Sequence, residues 1–130
     1  MTTVPVISII DDDASVRAAT DNLLQSLGYA VHTFDSAEGF MRSDRLNDTS
    51  CVIADVNMPA MSGVELLILL RNRGCRVPFV FITAFPDKEI CARALSAGAT
   101  GFLTKPFEKA SLIQCLERAL QQRDGENPCC

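Results

Sequence analysis

Short apolar runs alternate with amphipathic segments along the whole chain. The runs are about five residues long, and three of them are almost wholly apolar, as strands covered on both faces of a sheet should be. Alternation of such strands with helices is typical of a parallel sheet wrapped by helices. The predicted strands are Val6–Ile10, Ala30–Phe34, Cys51–Asp55, Phe79–Thr83 and 100–104.

Capping residues mark where the predicted helices begin and end. Asp35 with Glu38, and Ser62 with Glu65, have the spacing of a capping box at a helix start. Gly28 stands where a left-handed residue would end the first helix. Apolar stripes predict the first and fifth helices: Val16, Ala19, Leu23, Leu24 and Leu27, then Leu112, Ile113, Leu116 and Leu120.

A fourth helix between Pro86 and Gly98 completes a pattern of five strands and five helices. Because crossovers between parallel strands are right-handed, this α/β pattern predicts a doubly wound sheet. The ligand site of such a sheet lies beyond the carboxyl ends of its strands. Functional residues are therefore expected directly after strands.

Composition narrows the class of protein. The chain has 130 residues, which is the size of one domain, and a formal net charge of −4. That sign is wrong for binding a polyphosphate backbone, so no direct contact with nucleic acid is expected. No apolar run approaches the roughly 18 residues of a membrane span, and the start lacks a basic secretory leader. We therefore expect a soluble, cytoplasmic domain without a membrane partner.

The six cysteines do not form a metal-binding or disulfide pattern. Cys51, Cys75, Cys91 and Cys115 are widely spaced, and the chain has a single histidine. Buried free thiols are therefore expected rather than a zinc site. The remaining two, at 129 and 130, belong to a polar segment. The predicted domain is 1–123, followed by a flexible tail or the start of a linker at 124–130.

Five polar residues follow four of the predicted strands. Asp11 and Asp12 come after the first strand, Asp55 ends the third, Thr83 ends the fourth, and Lys105 follows the fifth. The carboxyl ends of parallel strands share one edge, so these side chains are expected to converge. Two adjacent carboxylates at a strand end also repel each other unless a cation joins them.

Each of these positions also has a structural explanation. Asp12 or Asp13 suits a helix N-cap, Asp55 suits a turn, and Thr83 and Lys105 suit a strand end and a solvated loop. Together they favour a Mg²⁺ site, because Mg²⁺ prefers oxygen ligands and usually takes one or two carboxylates. Asp12 and Asp55 are the expected direct ligands. Asp11 is expected to act through water.

Four spaced motifs give the chain a family resemblance: "DD" at 11–12, "DVNMPAMSG" at 55–63, "TA" at 83–84 and "KPF" at 105–107. With them, the chain resembles a receiver domain of the two-component response regulators, from Val6 to about Arg123. Details such as "ALSAGATGFLTKPF" resemble the FixJ-type branch, whose receivers usually precede a DNA-binding domain. The resemblance implies a flavodoxin-like (βα)5 fold with strand order 2-1-3-4-5.

The resemblance also implies a chemistry. Asp55 would be the phosphoacceptor, taking a phosphoryl group from the phosphohistidine of a sensor histidine kinase. Mg²⁺ would be held by Asp11, Asp12, Asp55 and the main-chain carbonyl of Asn57. Lys105 would then bind a phosphoryl oxygen.

A conformational switch is implied as well. Thr83 would donate a hydrogen bond to the phosphoryl group, and the backbone N–H of Ala84 would contact it. The movement of Thr83 would let Phe102 turn inward and change the surface of the fourth helix, fifth strand and fifth helix. That surface would form a homodimer or bind a partner, controlling transcription through an output domain. Phe102 as an ordinary core ring is the alternative.

Three other classes of protein stay open from the residues. An aspartate-nucleophile hydrolase would need a second acid–base carboxylate and a substrate pocket, whereas the loops here are short. A nucleotide-binding module would carry a glycine-rich phosphate loop, and none is present. An interaction domain without phosphorylation would not need the acidic pair with Asp55, Thr83 and Lys105. A regulatory switch, rather than an enzyme acting on other molecules, is the favoured interpretation.

Two residues are expected to set the lifetime of the phosphoryl group. Asn57 and Phe85 each lie two residues beyond a predicted site residue, beside the path of an attacking water. The bulk of Phe85 predicts slow loss, over minutes or longer. A ring displaced outward is the alternative.

Overall fold

A parallel sheet forms the centre of the chain. The computed structural model describes residues 4–43, 45–58, 60–85, 87–105 and 107–123. The strands of the sheet lie in the order β2-β1-β3-β4-β5, which confirms the predicted fold. They are β1 (Val6–Ile10), β2 (Ala30–Phe34), β3 (Cys51–Asp55), β4 (Phe79–Thr83) and β5 (Gly101–Thr104).

The fifth strand begins one residue later than predicted. Thr100 donates its backbone N–H to the carbonyl of Phe79 at 2.8 Å, but the paired register with β4 starts only at Gly101 opposite Val80. The other four strands have the predicted bounds. β3 and β4 are buried along their full length, as inner strands covered on both faces should be, although they end in the polar residues Asp55 and Thr83.

Helices cover both faces of the sheet. One core layer joins it to the second, third and fourth helices through residues such as Phe40, Leu67 and Ala94. The other joins it to the first and fifth through Leu24 and Leu116. The helices are α1 (Ala14–Ser26), α2 (Ala37–Arg42), α3 (Gly63–Asn72), α4 (Lys88–Ser96) and α5 (Lys109–Arg123), with a 3₁₀ turn at Leu46–Asp48.

The capping predictions have mixed outcomes. Ser62 and Glu65 form a complete capping box at the start of α3, as predicted. Gly28 follows α1 with a φ of 94°. The box proposed for Asp35 is wrong, because Ser36 is the N-cap of α2 and its Oγ accepts from the N–H of Gly39 at 3.0 Å. The shorter serine, one residue later, is the side chain that reaches the free amide.

The apolar stripe of α1 is covered only in part. Leu24 is fully buried, but Leu27 is 37% exposed. Thr20, a polar residue that is not a member of the stripe, is buried. The Thr20 hydroxyl is satisfied within the helix by the carbonyl of Val16 at 2.8 Å. Leu27 caps the C-terminal end of α1 directly before β2, so its exposed side chain lies at the amino edge of the sheet.

The remaining predictions concern the cysteines, Pro86 and the segment 124–130. Cys51 is a buried free thiol and Cys75 is also buried, whereas Cys91 and Cys115 are free but only partly buried, so the expected burial is wrong for these two. Pro86 and the segment 124–130, with Cys129 and Cys130, lie outside the described residues, and α4 begins after the N-cap Asp87. In the described ranges, every helix is too short or too polar to cross a membrane.

Candidate functional site

Polar side chains from four strands meet at the carboxyl edge of the sheet. Asp11 follows β1, Asp55 ends β3, Thr83 ends β4, and Lys105 follows β5. These strands are consecutive neighbours in the sheet, so residues distant in sequence become adjacent in space. The structure therefore brings together the residues that the sequence selected.

Three carboxylates form the acidic part of the site. Asp11, Asp12 and Asp55 each offer an oxygen within 4.8 Å of the other two. Asp11 is 0% exposed and Asp55 6%, whereas Asp12 is open to solvent. Asp55 is more deeply buried than the half-buried position that a strand end suggests. Such a group of like charges is costly unless a cation compensates it.

Lys105 supplies one compensating charge. Its Nζ lies 3.1 Å from Oδ2 of Asp11 and 3.0 Å from Oδ2 of Asp55. Burial lowers the pKa of Lys105, but the bonds to the two carboxylates outweigh burial and leave the pKa above its ordinary value. The ammonium therefore stays charged and bridges β1 and β3 from the end of β5.

The loop after β1 is held by its own side chains. Oδ1 of Asp11 accepts the backbone N–H of Asp13 at 2.8 Å, and Nη1 of Arg17 donates to the carbonyl of Asp11 at 2.7 Å. Burial raises the pKa of Asp11, against the lowering effect of the Asp13 N–H and Lys105. Asp13 is the N-cap of α1, which leaves Asp12 free of that role.

Asp55 is fixed at both carboxylate oxygens. Oδ2 pairs with Lys105, and Oδ1 accepts the backbone N–H of Asn57 at 2.9 Å. The sequence assigned the main-chain carbonyl of Asn57 to the metal. The sequence also placed Asn57 beside the path of an attacking water, but it did not predict that Nδ2 of Asn57 donates to Oγ1 of Thr83 at 3.3 Å.

Thr83 is buried, and its hydroxyl group is fully hydrogen-bonded. It is 1% exposed, and its hydroxyl lies 3.1 Å from the N–H and 3.3 Å from the carbonyl of Phe85. Phe85 itself is 77% exposed, which matches the alternative of a ring displaced outward. The turn after β4 is therefore organised around one hydroxyl group.

Ala84 and Phe102 lie on opposite sides of Thr83. Ala84 is exposed and borders an apolar cavity of about 510 Å³, together with Lys105 and part of α1. The Phe102 ring is half-buried and lies 6.3 Å from the ring of Phe81, between β5 and the core under α4.

Gly63 is a site residue that the sequence reasoning missed. A Cβ at this position would lie 2.6 Å from the carbonyl oxygen of Asp55 and 2.8 Å from the ring of Phe81. The start of α3 therefore packs directly on the backbone of Asp55. The signal was the glycine directly after the N-cap Ser62, but only the fold shows what it approaches.

The donor set suits Mg²⁺. Carboxylate oxygens are hard ligands, and two of the three carboxylates are buried where their charge is costly. The residues that would hold the ion are Asp11, Asp12 and Asp55, with the carbonyl of Asn57. Thiolates and imidazoles, which softer metals prefer, are not part of this cluster.

Comparison with known proteins gives a consistent family. The model of the response regulator receiver domain matches residues 7–117. The chain is 36% identical to the transcriptional regulatory protein FixJ of Bradyrhizobium diazoefficiens over 124 residues, 95% of the chain. It is 37% identical to the response regulator protein TodT of Pseudomonas putida over 116 residues, 89% of the chain.

Solved structures agree with these relatives. The fold is similar to that of FixJ-N, with a TM-score of 0.83 and 34% identity over 92% of this chain and 96% of that one. It is also similar to the response regulator StyR, with a TM-score of 0.85 and 42% identity over 92% of this chain and 61% of that one. The chain spans 60% of FixJ and 51% of TodT, so it corresponds to about half of these relatives.

Proposed function

The chain belongs to the response regulator receiver domain family, and we propose that it is a signalling switch activated by phosphorylation of Asp55. The observation that carries this proposal is the position of the Asp55 carboxylate. It is buried, paired with Lys105 at 3.0 Å, and surrounded by oxygens of two further aspartates. A nucleophile with a cation on one side and a metal-ligand set on the other is equipped for phosphoryl transfer.

The transfer forms one bond and breaks one bond. An oxygen of Asp55 attacks phosphorus, the bond from phosphorus to the imidazole nitrogen of the donor breaks, and that nitrogen keeps the electron pair. Bound Mg²⁺ supplies positive charge that neutralises the carboxylates and the transferred group. Lys105 gives the transferred group an ammonium donor, and Asp11 and Asp12 hold the ion.

The partner in this proposal is a sensor histidine kinase, and the output is transcriptional. FixJ is named a transcriptional regulatory protein and TodT a response regulator, and both are longer than this chain. An output domain beyond the receiver domain 1–123 would use a changed α4–β5–α5 surface, with Thr83 and Phe102 as its switch residues and 124–130 as tail or linker. The proposed location is the cytoplasm, where such kinases present their phosphohistidine.

Acetyl phosphate tests the central step. Incubation with acetyl phosphate and Mg²⁺ should add one phosphoryl group to the protein, measured by intact mass. Asp55→Asn should abolish the addition, whereas Asp48→Asn, at an exposed aspartate in the 3₁₀ turn, should not. Addition that persists in Asp55→Asn would overturn the assignment.

A further inference from the structure

The hydroxyl of Thr83 has no bonding capacity left in this structure. A hydroxyl offers one proton and two lone pairs. Oγ1 of Thr83 accepts from Nδ2 of Asn57 and from the N–H of Phe85, and it donates to the carbonyl of Phe85. The group is 1% exposed, so its partners come from the protein. We call this arrangement the resting position of Thr83.

Leaving the resting position has a defined cost. To donate to a phosphoryl oxygen, the Thr83 hydroxyl must release the carbonyl of Phe85, and movement toward Asp55 also changes its distance from Asn57. The two bonds to Phe85 join residues two apart and belong to the local turn. The bond to Asn57 spans 26 positions and joins the loop after β3 to the end of β4.

Asn57 is itself attached to the phosphoacceptor. Its backbone N–H donates to Oδ1 of Asp55 at 2.9 Å, so one residue contacts both Asp55 and Thr83. Its side chain is exposed, and its amide has water as an alternative partner. This hydrogen bond therefore contributes little to the stability of the fold, and its main effect is on the position of Thr83.

We propose that Asn57 is a positioning residue that holds Thr83 in the resting position and so opposes activation. The inference rests on the proposed function, because it concerns the same switch. Removal of the Asn57 amide lowers the cost of moving Thr83. A ligand that needs the moved Thr83 then binds more tightly.

Beryllofluoride, which stands in for the phosphoryl group on a carboxylate, is the probe. Its affinity in Mg²⁺ is measured by amide NMR titration for wild type, Asn57→Ala, Thr83→Ala and the double variant. Asn57→Ala should tighten binding about two- to tenfold, the range of one neutral hydrogen bond. In the Thr83→Ala background the same substitution should change nothing. Asn72→Ala, an exposed asparagine at the end of α3, is the matched control.

A second readout needs no ligand. In free Asn57→Ala, the amide resonance of Phe85 should move part of the way along the line from free to beryllofluoride-bound wild type. A merely local disturbance would move the resonance off that line. The inference is overturned by such a displacement, by unchanged affinity, or by an equal effect in both Thr83 backgrounds. Failure of wild type to bind beryllofluoride would instead overturn the proposed function.

Discussion

At the scale of single residues, Lys105 explains how the sheet edge tolerates buried carboxylates. Its ammonium contacts Asp11 and Asp55 at about equal distances, 3.1 and 3.0 Å. Breaking a buried ion pair leaves an uncompensated charge, and that cost exceeds the value of the intact pair. The lysine is therefore structural in the metal-free protein as well as chemical in the proposed transfer.

Lys105→Met tests this role. In EDTA at neutral pH the substitution should lower the free energy of unfolding by about 3 kcal/mol, since it leaves two buried carboxylates unpaired. Mg²⁺ should restore part of the loss. Urea unfolding with and without Mg²⁺ measures both effects. Lys109→Met, at an exposed position in α5, should change the free energy by less than about 0.5 kcal/mol.

The loss of unfolding free energy in Lys105→Met should also depend on pH. Burial already raises the pKa of Asp11, and removal of the ammonium takes away a group that lowers it. Folded Asp11 then binds a proton more tightly than unfolded Asp11, so falling pH favours the folded variant. The loss should shrink as the pH falls through the raised pKa toward 3.8, the ordinary value. A constant loss over this range would show that Asp11 is not the group left unpaired.

The residues predicted from sequence are those whose chemistry is visible without a fold. Charged residues at the ends of apolar strands can be recognised in the sequence, as for Asp11, Asp55 and Lys105. The sheet then brings these residues within hydrogen-bonding distance. The contact of Gly63 with Asp55 and the bond from the side chain of Asn57 to Thr83 were missed for a physical reason. Their roles depend on a close backbone approach and a bond across 26 positions, and neither leaves a periodic signal.

At the scale of elements, α3 packs against Asp55, the proposed phosphoacceptor. The helix starts at a complete capping box, and its first residue, Gly63, packs on the carbonyl of Asp55 and the ring of Phe81. The periodicity that predicted α1 did not predict how deeply each position would be covered. Leu27, the C-cap residue after α1, stays exposed while Thr20 inside the helix is buried, because the neighbouring elements, not the stripe alone, decide burial.

Gly63→Ala tests the contact between α3 and Asp55. The added methyl group would meet a backbone carbonyl at 2.6 Å, so the main chain must shift. We expect the free energy of unfolding to fall by about 1–3 kcal/mol, as for overpacked cores, and labelling by acetyl phosphate to slow. Urea unfolding and intact mass measure the two effects.

Gly39→Ala in α2 is the comparison for this substitution. A Cβ there meets the movable Oγ of Ser36 at 3.1 Å, so the loss of stability should be smaller. Its rate of labelling should equal that of wild type. If Gly63→Ala also labels at the wild-type rate, α3 does not position Asp55.

At the scale of the whole molecule, the alternating pattern predicts a doubly wound sheet, the family resemblance implies the strand order, and the site follows from that order. Because β1, β3, β4 and β5 are neighbours in the sheet, their carboxyl ends bring the polar side chains of the site together. The division of the core into two layers places Phe102 with α4 and apart from α1. The surface beyond Phe102 is therefore on the other face of the sheet from α1.

Dimerisation tests whether the α4–β5–α5 surface is an interface between two copies of the chain. Leu95 on α4 is 52% exposed, so in a two-fold dimer through the α4–β5–α5 surface it would be a candidate for burial. Mg²⁺ with beryllofluoride should convert wild type from monomer to dimer in sedimentation velocity. Leu95→Lys should bind beryllofluoride yet stay monomeric, because it places a charge in a symmetric apolar contact. Leu27→Lys, at the C-cap of α1, should still dimerise, and a dimer lost equally in both variants would locate the interface elsewhere.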